Sequence, residues 1–188
     1  MKIVKITLAT ILTATALFAG TYNVDASHSN VGFKVKHLMI SNATGKFDKF
    51  TGSFEFDEKS NTLKSLNGVA EVASINTENE KRDGHLKSAD FFDVANYPKI
   101  TFMLNKIDGD TAYGKLTMKG ITKNIELDLE NNGSIIDPWG NKRVGLELNG
   151  KINRKDFGLN WNKALEAGGV VVGETVKLNI GLEGILAK

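Results

Sequence analysis

The residues that could do chemistry gather in one polar stretch, residues 77–102, where the alternating pattern of the rest of the chain stops. Arg82 and His85 fall three positions apart, so a helix would place a cation and an imidazole on one face. Asp83 adds a carboxylate, and His37 lies earlier in the chain. Because no serine lies in a nucleophile elbow, the chemistry open to these groups is acid–base catalysis on a bound molecule, but the sequence names no catalytic constellation.

Structural roles for the same residues remain open. Arg82 and Asp83 are sequence neighbours and cannot face each other on a helix, so each is expected to pair elsewhere. Arg82 would pair with Asp93 or with a ligand headgroup, and Asp83 with a backbone N–H. A structural ion pair that holds the segment to the rest of the domain is the alternative. His37 would meet a headgroup or be a satisfied core histidine.

Composition excludes several classes of function. The three histidines are not at metal-ligand spacing and the chain has no cysteine, so we expect no metal site, disulfide or thiol chemistry. Lys2 and Lys5 precede an apolar stretch, residues 6–18, which predicts a secretory signal peptide over residues 1–19 and a domain over 20–188. Its removal leaves 22 basic and 22 acidic residues, which argues against nucleic-acid binding. The expected location is the periplasm, with no stable membrane anchor.

Helix signals predict a short helical insertion around residues 78–96. Thr77 and Glu80 have the spacing of a capping box, and Ser88 is suited to a second N-cap. Tyr97 and Pro98 would end the insertion. We expect it to lie beside the mouth of a barrel.

Elsewhere apolar residues recur at every second position, which is typical of antiparallel strands with one wet and one dry face. About eight such strands, joined mostly by short turns, predict an all-β, eight-stranded antiparallel up-and-down barrel. A β-sandwich is the competing architecture. The inward faces are rich in aromatic residues, and burial of a twenty-carbon chain would contribute about 16 kcal/mol before entropic costs. Such an interior could hold a lipid or be filled by its own side chains.

The chain resembles the YceI-like family of periplasmic polyisoprenoid-binding proteins. The resemblance covers the whole predicted mature chain and rests on these segments: Asp25 with His28-Ser29, Phe33 and His37-Leu38; Gly45-Lys46-Phe47 and Phe50-Thr51-Gly52; Arg82-Asp83-Gly84-His85-Leu86, Phe91-Phe92-Asp93 and residues 97–102; residues 114–123; and residues 154–159. Tyr22 stands where family members often have Trp.

The resemblance implies a lipocalin-like barrel, often dimeric, that encloses an isoprenoid quinone, a polyprenyl chain or a fatty-acid-like lipid for storage, transport or transfer. It implies binding without catalysis and no required cofactor. Transient contact with a membrane or with quinone-using envelope proteins is a further expectation. An envelope adaptor with a filled core and an enzyme acting on a bound lipid remain the alternatives.

Inward phase and the family motifs together predict the ligand-binding residues. They are Phe33, Val35, His37, Phe54, Phe56, Arg82, His85, Leu86, Phe91, Phe92, Phe102, Leu104, Leu116, Met118, Leu127, Phe157, Leu159 and Trp161.

Overall fold

The computed structural model describes residues 19–166 and 168–188. The predicted signal peptide therefore lies outside the described residues, apart from Ala19. The strands are β1 (Gly20–Val24), β2 (Asn30–His37), β3 (Ser41–Phe47), β4 (Phe50–Asp57), β5 (Thr62–Glu71), β6 (Ile75–Asn76), β7 (Lys99–Asp108), β8 (Thr111–Met118), β9 (Ile121–Ile136), β10 (Lys142–Asn153) and β11 (Val172–Leu186). The helix α1 spans Glu80–Lys87, and two 3₁₀ helices span Val72–Ser74 and Arg154–Phe157. Among the described residues, no helix is long and apolar enough to cross a bilayer.

Eight strands close into an antiparallel barrel in the order β1-β4-β5-β7-β8-β9-β10-β11, and β11 pairs again with β1. Closure confirms the predicted eight-stranded barrel and rules out the sandwich. A closed barrel leaves no free edge in this ring, which removes the template for edge-to-edge aggregation.

The long strand β11 extends beyond the ring of eight strands. It has fifteen residues, about 50 Å of extended chain, and pairs with two strands along one edge. β1 pairs with the C-terminal end of β11, where Tyr22 lies opposite Leu186. β2 pairs with the preceding part of β11, where His37 lies opposite Val172. β3 and β6 extend the sheet beyond β2. The wall therefore continues past the ring.

Aromatic side chains fill one end of the barrel, here called the closed end. Tyr22, Phe54 and Phe56 are buried there, and Tyr22 packs edge-on against Phe56 with ring centroids 6.3 Å apart. A Cβ on Gly184 would lie only 2.4 Å from Cζ of Phe54, so a glycine is needed opposite this ring. This end is a solid core.

The helical insertion is confirmed, but its predicted caps are wrong. Asn79, not Thr77, is the N-cap of α1, and its side chain accepts a hydrogen bond from the backbone N–H of Arg82. Ser88 is the C-cap instead of a second N-cap, and residues 89–96 form turns. Both candidate caps were chemically suited, but Thr77 is held in a different hydrogen-bond network, described below.

Candidate functional site

A cavity of about 650 Å³ lies inside the barrel on the side of α1. Alternating residues of β2, β5, β7, β8 and β11 form its wall, and α1 with the following turns covers the end. The strand pattern turns these side chains inward, but Ala43, Gly68 and Ala70 are too small to reach across. The space exists because the wall carries small residues at these inward positions.

The volume of the cavity suits a chain-like guest. It falls within the range of about 300–1,000 Å³ that is typical of ligand pockets. A cavity of about 150 Å³ holds one benzene ring, so this space would accept on the order of twenty-five carbons. Its walls are almost entirely aliphatic and aromatic, which favours burial of hydrocarbon.

Most of the predicted ligand-binding residues line this cavity. They are Phe33, Val35, His37, Arg82, His85, Leu86, Phe91, Phe92, Phe102, Leu116, Met118, Leu127, Leu159 and Trp161. The structure thus brings together residues from both ends of the sequence. Their contact with a ligand remains a prediction.

Four predicted residues lie elsewhere. Phe54 and Phe56 are buried in the closed end, and Phe157 is buried in its 3₁₀ helix outside the cavity lining. Leu104 packs half-buried against the core. Phe54, Phe56 and Leu104 have the inward strand phase on which the prediction was based, but phase does not specify the height of a residue along the barrel axis. Phe157 lies in a 3₁₀ helix, where strand phase does not apply.

The sequence analysis missed a whole wall of the cavity on β11. The cavity is lined beside β2 by Val176, Leu178, Ile180 and Leu182. Their alternation predicts a strand, but they were not among the predicted ligand-binding residues. Their strict alternation was the same signal that identified β2 and β8, so these residues were predictable as wall residues.

A polar network at the start of α1 anchors the helix to the barrel. Thr77 is buried, and its Oγ1 donates a hydrogen bond of 2.5 Å to Oδ1 of Asp83, which also accepts from the Thr77 backbone N–H at 3.0 Å. The Arg82 Nε and Nη2 atoms donate to Oγ1 and the carbonyl oxygen of Thr77, each at 2.8 Å. The predicted bond from a backbone N–H to Asp83 is confirmed. Of the two partners predicted for Arg82, Asp93 is wrong, since Asp93 accepts from Asn96. The ligand headgroup remains a prediction.

Three rings close the space above the cavity. His85 meets Phe91 and Trp161 edge-on, with ring centroids 5.1 Å and 4.8 Å apart, and Phe91 and Trp161 lie 5.3 Å apart. The His85 Nε2 atom lies 3.4 Å from Oδ2 of Asp90 at the surface. His85 therefore has an apolar face toward the cavity and a polar contact toward solvent.

Arg154 is a buried cation that begins one of the family segments but was not among the predicted ligand-binding residues. It is 2% exposed, lines the cavity, and donates from Nε to the carbonyl oxygen of Gly173 at 2.9 Å and from Nη1 to that of Leu159. Burial lowers the pKa of its guanidinium, and the charge of Glu174 opposes this effect. Among the described residues no carboxylate lies within salt-bridge distance of Arg154. These carbonyl bonds join the 3₁₀ helix to β11.

A cluster outside the closed end resembles a cation site, but an arginine occupies it. Asp25, His28 and Glu183 could each offer one ligand atom. The Nη1 atom of Arg143 lies between them and donates to Asp25 at 2.9 Å and to Glu183, while its Nε donates to Asp137 at 2.7 Å. The guanidinium already supplies the positive charge, so the cluster acts as an ion-pair network.

Comparisons with known proteins agree with this architecture. A family model described as the YceI-like domain matches residues 22–184. A UPF0312 protein of Staphylococcus aureus strain MSSA476 is 41% identical over 165 residues, which cover 86% of this chain and 95% of that protein.

Two solved structures share the fold. The YCEI protein of Campylobacter jejuni is 36% identical, with a TM-score of 0.67 over 87% of this chain and 96% of that one. A polyisoprenoid binding domain from Saccharophagus degradans, implicated in plant cell wall breakdown, has a TM-score of 0.67 at 19% identity over 88% and 98% of the two chains. The second likeness shows the fold alone.

Proposed function

Since the chain belongs to the YceI-like family, we propose that it encloses the tail of a long isoprenoid or related amphiphilic lipid in its barrel. The observation that carries this proposal is the unfilled apolar cavity of about 650 Å³. Each buried methylene contributes about 0.8 kcal/mol, so a tail of twenty carbons gains enough to offset the costs of docking. The polyisoprenoid binding of the Saccharophagus degradans domain supports the same ligand class.

The proposed role is storage, transport or transfer in the periplasm after cleavage of the signal peptide. The ligand would be an isoprenoid quinone, a polyprenyl chain or a fatty-acid-like lipid, and no catalytic cofactor takes part. Aromatic rings seal the closed end of the barrel, whereas only α1 and the following turns cover the opposite end. A lipid would therefore enter and leave past α1 and the tip of the β2–β3 hairpin.

The tip of that hairpin is suited to transient contact with a membrane surface. Leu38, Met39 and Ile40 are 37%, 54% and 84% exposed, and the backbone N–H of Leu38 donates to the carbonyl oxygen of Val171 at 2.8 Å. Val171 lines the cavity, so the tip lies at its rim. Lys36 lines the same rim, and its charge would favour an anionic lipid surface.

The backbone of the tip supports this role. Leu38 and Met39 have φ angles of 50° and 64°, in a left-handed conformation that glycine or asparagine adopts at lower cost. Large apolar residues at strained, exposed positions are more consistent with a contact surface than with a turn that only links two strands.

Lipid analysis tests the proposed function directly. The protein purified from its native host is extracted with organic solvent, and the extract is analysed by mass spectrometry. We expect a near-stoichiometric amphiphile with a tail of about twenty to twenty-five carbons. Repeated recovery of no lipid, with no binding of quinone or prenyl probes to the extracted protein, would overturn the proposal.

The two alternative functions, an adaptor and an enzyme, and the predicted homodimer can each be tested separately. An unfilled cavity argues against an adaptor with a filled core.

A lipid-modifying enzyme would need His37, His85 and Asp83 as acid–base groups, yet Asp83 accepts hydrogen bonds from Thr77. Unchanged lipid retention and cellular phenotype after His37→Ala and His85→Ala would remove the enzyme alternative. The family resemblance also predicts a homodimer, which sedimentation velocity can detect.

A further inference from the structure

Every charged side chain that lines the cavity is cationic. Lys36, Lys81, Arg82 and Arg154 line it, together with the two imidazoles of His37 and His85. No aspartate or glutamate belongs to the lining among the residues that the structure describes. The chain as a whole carries nearly equal numbers of acidic and basic residues, so this one-sided distribution is specific to the cavity.

Most of these groups belong to segments that meet at the mouth. Lys36 lies at the end of β2, where the strand reaches the rim. Lys81 and Arg82 lie in the first turn of α1. The remaining lining is almost wholly apolar, so the cavity has the two-part character of an amphiphile, with cations at the mouth and hydrocarbon inside.

The acidic residues Asp83, Asp90 and Glu174 already have partners within the protein. Asp83 accepts hydrogen bonds from Thr77, and Asp90 lies against the outer nitrogen of His85. Glu174 pairs with Lys155 at 2.5 Å. These acidic groups reduce the positive potential but do not occupy the space where a headgroup would lie.

Arg82 retains hydrogen-bonding capacity for a ligand. A guanidinium has five N–H donors, and Arg82 uses two of them on Thr77. No carboxylate of the described residues lies within salt-bridge distance of it. Thr77 fixes the orientation of the Arg82 side chain, so the remaining N–H donors of the guanidinium are held at the mouth.

We infer that the bound amphiphile carries an anionic headgroup, a carboxylate or a phosphate, which Arg82 and Lys81 contact at the mouth. This inference rests on the proposed function and specifies its ligand. Charge-assisted hydrogen bonds are shorter and stronger than neutral ones, and the apolar wall beside them lowers the local dielectric. A neutral headgroup gains less from the same donors, and a cationic headgroup is repelled.

Matched pairs of lipids test the inference on lipid-extracted protein. Geranylgeranyl phosphate is compared with geranylgeraniol, and oleate with oleyl alcohol, by equilibrium binding at 20 mM and 300 mM salt. We expect each anion to bind at least about tenfold more tightly than its alcohol at low salt, with the ratio falling at high salt. A preference in one pair only identifies which anionic headgroup is bound.

Variants locate the effect. Arg82→Gln and Lys81→Gln should each reduce the anion-to-alcohol ratio at least threefold. Lys87→Gln is the matched control, because Lys87 lies on the same helix outside the cavity lining and should leave the ratio unaltered. Lys81→Gln keeps the experiment decisive if Arg82→Gln disturbs Thr77.

The outcomes separate the two proposals. Equal binding of anion and alcohol overturns the anionic headgroup but leaves lipid binding intact. If no member of either pair binds, the proposed function fails and the inference with it. An anion preference that Lys87→Gln reduces as much as Lys81→Gln would show general surface attraction and also overturn the assigned site.

Discussion

The rings of Tyr22 and Phe54 stack across the closed end of the barrel, with centroids 5.4 Å apart and planes within 8° of parallel. The Tyr22 hydroxyl continues outward and donates to Oε1 of Glu58 at 2.8 Å. Burial raises the pKa of this hydroxyl, and the bond to Glu58 adds to the effect. The stack seals one end of the barrel, so the same alternating pattern that forms a cavity at one height forms a solid core at another.

The closed end should therefore carry much of the stability. Phe54→Ala is expected to lower the free energy of unfolding by about 3–5 kcal/mol, because it removes a fully buried ring and leaves a void. Chemical denaturation of lipid-extracted protein measures the loss. Phe102→Ala is the control, since Phe102 faces the open cavity and should cost at most about half as much. Equal losses would contradict a division between core and cavity.

Acid should destabilise the barrel through the Arg143 network. Hydrogen bonds from Ser27, His28 and Arg143 hold the pKa of Asp25 well below its ordinary value. Burial raises the pKa of Asp137, but bonds from Arg143 and Asn141 outweigh it and the net pKa is low. A carboxyl group whose pKa is lower in the folded state than in the unfolded state stabilises the folded protein. This stabilisation is complete above the pKa of the unfolded state, about 3.9 for aspartate, and is lost as the pH falls toward the pKa of the folded state.

Urea denaturation between pH 7 and pH 2.5 checks this expectation. The midpoint should be nearly constant down to about pH 4 and fall steeply below it. Arg143→Gln should lower the midpoint at pH 7 and flatten the decline below pH 4, because less stability remains to be lost. Lys177→Gln removes an exposed lysine on β11 and should behave as the parent protein does. An unchanged decline in Arg143→Gln would assign acid unfolding to other carboxylates.

Much of the fold was predictable because alternation with period two is a local signal. It identified strands such as β4 and β8 and gave the correct inward phase of Phe33, Phe54 and Phe102. Phase could not separate Phe33, which lines the cavity, from Phe54, which seals the closed end. That difference depends on strand register around the whole ring, which is a non-local property.

The hydrogen-bond partners of polar residues were less predictable for the same reason. Arg154 is bound to carbonyl oxygens of Leu159 and Gly173, the second of which becomes its neighbour only when β11 joins the barrel. Thr77 and Asn79 were both suitable N-caps by residue type. Thr77 instead bonds to the side chains of Arg82 and Asp83, and Asn79 caps the helix.

Filling the cavity should shorten the lipid that the protein holds. A Cβ on Gly68 would meet only the carbonyl oxygen of Thr51, at 4.0 Å, so Gly68→Phe would project a ring into the cavity. One ring takes up about 150 Å³, roughly a quarter of the space. We expect tails of about twenty carbons to bind at least tenfold more weakly, measured by competition with a shorter chain.

Gly181→Phe is the control for this substitution. Gly181 lies on β11 outside the cavity lining, with open space around its Cβ position, so the same side chain there should not change lipid binding. Unaltered binding in Gly68→Phe would show that lipid occupies another part of the molecule.

The apolar hairpin tip should determine how fast lipid moves between the protein and a bilayer. Met39→Ser with Ile40→Ser removes two exposed apolar side chains at the rim. We expect transfer to vesicles containing anionic lipid to slow about tenfold, while equilibrium binding of the lipid remains unchanged because neither residue lines the cavity. Ile135→Ser with Ile136→Ser gives a matched control, since these residues are 70% and 63% exposed but pair beside Lys142 and Arg143 at the closed end. Equal slowing in both double variants would mean that exposed apolar surface anywhere on the barrel promotes transfer, and the tip would then have no special role.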